Sequence, residues 1–478
     1  MRILHVGSGF RPWRRGGLVA YCEDLMQEQV RRGHEVSYFF SGRQYPYVTG
    51  PRLRRWERDG VAMLEVVNSP LYDHGRQPEL EVEEPGIERM LARLIGELRP
   101  NLVHVQELAG LPSSVLDVAG DSGLATVATL QDYFPLCSTF KLLDSNGEVC
   151  LRRRIGQDCA ATTAVDQRGP SLMFEATVGH EIRRLPLIRR IDPARRDPRV
   201  LQLARVVARA GEARRLRHRP PSAPEAFQRR RDMNVERLNR ADRVIAMSHR
   251  AGEIYSLLGV DSDRLRTLQL TLEHIEHLRP RRPQGTPPVT FATLGGGESV
   301  AKGSRLLLDA TRSLSDAAAE GRFRLLIFGF VDPAVADEVR EMPGVELRGG
   351  YPPGELDRLL AEVDVGIMPS IWEEAYGYAG VEFLAKGIPV IATAIGGMVE
   401  YTREGQTGWL NHSRSPEELA RIMLDVIEHP KQIADLNAKL RAQRDTIVKP
   451  LSRHAEELEA LYGEAIAERR RAITVPSA

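Results

Sequence analysis

Long hydrophobic runs are missing from this chain. Across 478 residues nothing approaches the ~20 consecutive apolar positions that cross a bilayer. The start, MRILHVGSGF, has neither the apolar core nor the cleavage site of an export signal and reads as a first β-strand, so a cytoplasmic location is expected. Cysteine is scarce too: four in a chain of this length exclude a secreted disulfide scaffold. No internal repeat beyond a general doubling of architecture is found. No strict G-x-G-x-x-G fingerprint follows the opening strand, which weakens a dinucleotide reading. What remains, 42% hydrophobic and 27% charged, is the composition of a soluble globular protein of two or three domains.

Charge is nearly balanced at +1, but unevenly placed. Residues 181–240 hold 18 arginines against 7 acidic residues, a local balance of +11. Such blocks meet phosphates or anionic lipid in some proteins. Here the basic stretch VLQLARVVARAGEARRLRHR (200–219) lacks Trp and Phe anchors, so peripheral membrane contact is not expected. No aromatic residues interleave its arginines either, which argues against nucleic acid. A solvated helical insertion over about 160–240 is expected, serving as a lid or a homodimer contact.

The rest alternates strand and helix. RILHV, a glycine loop, GGLVAYCEDLMQEQVRRGHEV and VSYFF form a βαβ opening, with Gly16 and Gly17 at the helix N-terminus. IERMLARLIGELRP, NLVHVQ, LPSSVLDVAGDSG, LATVATLQDY and ADRVIAMS continue it. After the proline-rich break LRPRRPQGTPP (278–288), VTFATLG, FRLLIFG, VELRG, VDVGIMPS and IPVIATA read as the strands of a second sheet. The pattern predicts an α/β protein with two Rossmann-like domains facing a central cleft. Their expected bounds are 1–280, carrying the basic insertion, and 285–445, with a helical tail over 446–478 packing back on the first domain.

Three stretches carry chemistry. Gly16 and Gly17 open a helix whose free N–H groups suit a phosphate, and Lys302 beside Gly303 is placed to meet a diphosphate as a point charge. The stretch WEEAYGYAGVEFLAKGIPV (372–390) holds Glu373, Glu374 and Glu382. On a continuous helix, positions eight apart differ by about 80° in azimuth and positions nine apart point to opposite sides. That geometry pairs Glu374 with Glu382 and turns Glu373 to solvent. Cys137, Cys150 and Cys159 follow no common zinc spacing; a structural metal there is the minority reading, and no metal is assigned. Cys22, in the first helix, reads as packing.

E-x-[FY]-G at Glu374, seven residues between Glu374 and Glu382, GIPVIATAIGGMVE and GQTGWL together resemble retaining glycosyltransferases of the GT-B fold, family 4 (group 1). The resemblance covers most of the chain outside 150–240 and says nothing about substrate. It implies an N-terminal half that binds the acceptor and a C-terminal half that binds a nucleoside-diphosphate sugar, UDP- or GDP-linked. No cofactor or metal is required, and the acceptor is a small molecule, such as a secondary metabolite, or a glycan. Lys302 would neutralise the leaving diphosphate, Glu374 would bind sugar hydroxyls and Glu382 the ribose diol. Backbone N–H groups around Ala375, Tyr376, Gly377 and Tyr378 would meet sugar and phosphate, with Gly16 and Gly17 opposite. Two positions depart from the family pattern. Gly297 stands where an arginine is usual, leaving Arg14, Arg15 or Arg305 to replace it. Gln131, beside Asp132, stands where a histidine is usual, and an amide orients a hydroxyl without carrying a proton. Gln131 and Asp132 are still taken as catalytic, with Lys302 and Glu374. Alternative expectations are a sugar-nucleotide epimerase of the same fold and a catalytically weak auxiliary protein that binds a sugar nucleotide.

Overall fold

The computed structural model describes residues 1–14, 16–45, 50–71, 78–166, 172–191, 202–203, 206–207, 210, 222–283, 286–297 and 299–474. The first sheet comprises β1 (Arg2–Ser8), β2 (Glu35–Ser41), β3 (Arg52–Arg58), β4 (Val61–Val67), β5 (Leu102–Val105), β6 (Ala125–Leu130), β7 (Arg243–Ala246) and β8 (Leu265–Thr267). Its order is β3-β4-β2-β1-β5-β6-β7-β8, parallel except for the β3–β4 hairpin. The second comprises β9 (Val289–Leu294), β10 (Phe323–Phe328), β11 (Val345–Gly349), β12 (Val365–Met368), β13 (Val390–Thr393) and β14 (Gly408–Asn411). It runs β11-β10-β9-β12-β13-β14, all parallel. The central strands are buried on both faces, as helix-covered parallel sheets require, and this is why they read as unbroken apolar runs.

The predicted strands are present, and β3, β4, β8 and β14 were not predicted. β3, mostly charged with Leu53 and Trp56 as its apolar residues, lies at the sheet edge and turns into β4 through Asp59 and Gly60, at φ 52° and 79°. A charged edge strand hides its β character, whereas the Asp-Gly pair at positive φ was its legible signal. In the insertion, Gln157–Asp166, Leu172–Arg184, Pro186–Ile191 and Pro224–Arg240 are helical. Most of the basic stretch 200–219 lies outside the described residues.

Among the parallel strands of each sheet the order reverses direction once, between β1 and β5 and between β9 and β12. Loops leaving the carboxyl ends of those strands diverge and open a crevice. The loops concerned are the Gly16–Gly17 loop after β1, the Lys302 loop after β9 and the Glu373–Gly377 loop after β12. One buried cluster runs across both halves. It joins Tyr21, Leu25 and Met26 of the first helix (Gly17–Arg31) to Val381 and Phe383 beyond β12 and to Leu458 and Tyr462 near the C-terminus.

The C-terminal helix (Leu451–Thr474) crosses back onto the first sheet. Polar contacts place it: Tyr21 Oη lies 2.8 Å from His454 Nε2, and His104 Nδ1 lies 2.5 Å from Tyr462 Oη. At the rim Arg32 meets Glu459 at 2.8 Å and Arg243 meets Glu468 at 2.7 Å. His5 joins the buried part through Gln29 at 2.7 Å. Burial lowers His5 to about 4, against the Gln29 hydrogen bond, and lowers His454 to about 3, aided by Lys449. The unfolded chain therefore takes up protons before the folded one does as pH falls below about 6.5. Stability from these neutral histidines is complete above that pH and is lost progressively as acid approaches their folded values. The melting temperature is expected to drop between about pH 6.5 and 4. His454→Gln should make that drop shallower, and equal slopes would remove His454 from the account.

Candidate active site at the two switch points

Lys302 is brought to the site by the glycine after it. Gly303 has φ 82°, and a Cβ there would lie 1.8 Å from the carbonyl oxygen of Pro369. Only glycine lets the turn before the helix Ser304–Arg312 touch the loop after β12. In that contact Lys302 Nζ donates to Glu374 Oε1 at 2.6 Å. Ser370 Oγ and Trp372 Nε1 donate to the same oxygen at 2.8 and 3.0 Å. Three donors satisfy a carboxylate that is only 5% exposed. Glu374 is thereby fixed and Lys302 is held in line with the cleft floor.

The continuous-helix premise fails. The helix begins at Tyr378, after Gly377 at φ 83°, so Glu373 and Glu374 lie in the preceding loop and the 3.6-residue period does not reach them. Glu373 is the correction that follows: it is 3% exposed, not solvent-facing. Arg250 Nη2 donates to its Oε1 at 2.6 Å, and Arg250 Nε and the Gly396 N–H reach Oε2 at 3.2 and 2.9 Å. Arg250 belongs to the N-terminal half, in the helix His249–Leu257 after β7. This carboxylate therefore ties the halves together. Beside it, Ser248 Oγ donates to the Ala375 carbonyl at 2.6 Å.

Glu382 lies inside the helix Tyr378–Ala385 and is 8% exposed. Its Oε1 meets His274 Nε2 at 2.6 Å. Burial, with Glu382 adding, raises the nearby Tyr351 phenol well above its ordinary range, so it stays a neutral donor. Tyr376 is buried edge-on against Tyr378 and Tyr401. Tyr378 closes on the first helix: a Cβ at Gly17 would lie 2.8 Å from its ring. Two helix N-termini, at Gly17 and Tyr378, thus approach each other across the cleft. Both present unpaired N–H groups and a positive dipole end to one volume. Gly16, at φ 119°, has open space where a Cβ would stand.

The acceptor-side residues form a separate group. Gln131 Nε2 donates to Gln106 Oε1 at 3.2 Å, and its own Oε1 is buried with no partner among the described residues. Asp132 accepts from the Phe134 N–H at 2.8 Å. It keeps some solvent contact, yet desolvation, with Glu107 adding, raises its carboxyl to about 7. A carboxyl at that value divides between acid and base near neutrality.

Both described candidates for the cation missing at Gly297, Arg305 and Arg14, are already paired. A Cβ at Gly297 would lie 3.0 Å from Ile327 and 3.2 Å from Val331, so this position faces the apolar body of the second sheet. Arg305 is turned outward onto Glu338 at 2.5 Å. Arg14 is clamped by Glu107 at 2.6 and 2.8 Å and by the Ser8 carbonyl at 3.0 Å. Arg15 lies outside the described residues. Cys137, Cys150 and Cys159 line one small cavity with Arg231. Among the described residues no three His, Cys, Asp or Glu side chains are grouped to hold a metal ion. Cys22 is buried, within 3.6 Å of Gln131 Nε2.

Glu107, Ser248, Arg250 and His274 were not foreseen. Ser248 had a signal, as the residue between a strand and a helix whose N-cap it forms. The others meet the site through partners more than 90 positions away.

Residues 15–169 match the family described as Glycosyltransferase Family 4, and residues 288–429 match Glycosyl transferases group 1. The D-inositol 3-phosphate glycosyltransferase of Corynebacterium glutamicum is 30% identical over 203 residues, 40% of this chain and 47% of that protein. The protein of that name in Pseudarthrobacter chlorophenolicus is 29% identical over 238 residues, 45% and 55% of the two chains. The chain thus spans about half the length of these curated relatives. Among solved structures, sucrose-phosphate synthase from Thermosynechococcus elongatus superposes with TM-score 0.60 at 14% identity, covering 98% of this chain and 100% of that one. Anabaena Alr3699/HepE in complex with UDP and glucose gives 0.56 at 15%, covering 96% and 98%. At such identities the likeness speaks for the fold, which is GT-B.

Removing Glu373 would leave the half-buried Arg250 cation at the junction of the halves with the exposed Glu253 carboxylate, 3.3 Å away, in place of its buried partner. Glu373→Ala is expected to cost about 3 kcal/mol, the scale for breaking a buried pair. Thermal or urea melts would show it, and Glu373→Ala/Arg250→Ala together should cost less than the sum of the two. A loss below about 0.5 kcal/mol would restore a surface role.

Proposed function

Since the chain belongs to the family-4, group-1 type of GT-B glycosyltransferases, we propose that it transfers a sugar from a nucleoside diphosphate to an acceptor hydroxyl with retention of anomeric configuration. The observation that carries this is the Lys302–Glu374 contact, 2.6 Å long, in the crevice where the Gly17 and Tyr378 helix starts meet. Glycosyl transfer leaves positive charge on the sugar ring and negative charge on the departing diphosphate. A lysine and two sets of backbone N–H groups stabilise that leaving group, and the charge supplies the rate enhancement without a metal. Lys302, released from Glu374 when donor enters, takes the diphosphate. Glu374 turns to sugar hydroxyls, and Glu382 takes the ribose.

The acceptor oxygen attacks the anomeric carbon on the face the phosphate leaves. The carbon–phosphate oxygen bond breaks and the hydroxyl proton passes to the departing phosphate. Glu373, Glu374 and Glu382 come from one wall, the first tying the halves together and the other two facing the donor, so they do not form the facing pair that a double displacement through enzyme carboxylates requires. The acceptor approaches from the side of Gln131 and Asp132, a small molecule or glycan carrying a free hydroxyl. D-inositol 3-phosphate is the first acceptor to try, because relatives bear its name.

The test is a donor screen with UDP- and GDP-sugars, followed by transfer assays in chelator and NMR of the product anomer. Lys302→Ala should lower kcat by about a hundredfold or more, the scale for removing one charge stabiliser of a transition state. Glu382→Ala should raise the donor KM. Inverted product would overturn retention, and nucleotide binding without turnover on any acceptor would favour an auxiliary role. A new sugar nucleotide formed from donor alone would favour an epimerase.

A further inference from the structure

We infer that His274 positions the Glu382 carboxylate for the ribose of the donor, a role that rests on the donor-site reading above. Nothing within the helix Tyr378–Ala385 holds this side chain. Among the described residues, the one side chain that donates to it is His274, whose Nε2 lies 2.6 Å from Oε1. A carboxylate only accepts, so Nε2 carries the hydrogen in this contact. With Oε1 engaged and no described side chain donating to Oε2, the second oxygen is left for an incoming hydroxyl pair.

The histidine itself has little freedom. It sits in the four-residue helix Glu273–Glu276, between Leu272 and Ile275, both buried. The Glu273 N–H donates to Asp24 Oδ2 at 3.0 Å and its carboxylate meets Arg31 at 3.0 Å, both on the first helix. That helix begins at Gly17, opposite Tyr378. The acceptor-side half therefore supplies, through His274, the restraint on a donor-side carboxylate. A residue that only filled space here would need neither a hydrogen-bond donor nor the 2.6 Å approach.

Calorimetric titration of the whole chain with UDP, ADP and GDP, each beside its 2′,3′-dideoxy analogue, tests this on wild type, His274→Ala and His274→Gln. Glutamine places an amide N–H near the position of Nε2, so it keeps the donor. The expected result is a wild type that prefers the ribose form of one nucleotide. His274→Ala should weaken that form about tenfold, the worth of one hydrogen bond to a charged group, and leave the dideoxy form within about twofold. His274→Gln should restore most of the loss. Equal weakening of both forms, or no weakening of either, overturns the positioning role while the donor site stands. A wild type that binds none of the ribonucleotides, or does not distinguish ribose from dideoxyribose, overturns the donor-site reading and this role with it.

Discussion

Three carboxylates fall within ten residues of chain, all nearly out of solvent, and each has to be matched. Water cannot serve as the partner, so each one draws in a donor from somewhere else in the molecule. Glu374 takes Lys302 from the turn after β9, Glu373 takes Arg250 from the other half, and Glu382 takes His274 from the short helix Glu273–Glu276. One desolvation constraint thereby fixes the loop after β12, the relation of the two halves and the geometry of the crevice. Carboxylates held this way are restraints that a ligand can compete for, which suits binding better than covalent chemistry.

Close approach is the condition that lets those pairs form. Gly303 admits the Pro369 carbonyl, and a Cβ at Gly396 would lie 2.5 Å from the backbone N of Glu374. Gly17 admits the Tyr378 ring across the cleft. Side chains at these points would push the loops apart and leave buried charges without partners, at a cost of several kcal/mol per ion. The glycines and the glutamates are thus one device, with backbone freedom at one set of positions permitting neutralisation at another.

The fold was widely legible. Parallel strands buried on both faces are continuous apolar runs, and helices between them carry a 3.6-residue period, so each β-strand of the second sheet up to IPVIATA stood out. The β3–β4 hairpin did not, because an edge strand bears charge and breaks the βαβ rhythm. Motif spacing singled out Lys302, Glu374 and Glu382, and the structure brings Lys302 onto Glu374. Glu373 was misread because helical periodicity was extended past Gly377, a left-handed residue before which no helix phase exists. Spacing marked Gly297 as the place of a missing arginine, but it does not reveal that the position faces Ile327.

Local pattern therefore determined the two sheets, the glycine turns at their carboxyl ends and the residue types of the cleft. These depend on propensity, burial period and φ requirements, which act over a few neighbours. Only the tertiary structure decided which charges meet. Arg250 and Glu373 lie 123 residues apart, His274 and Glu382 lie 108 apart, and Arg14 and Glu107 lie 93 apart. Pairing at such separations is set by strand order and by the closure of one half on the other, and a buried carboxylate accepts whichever donor that closure delivers.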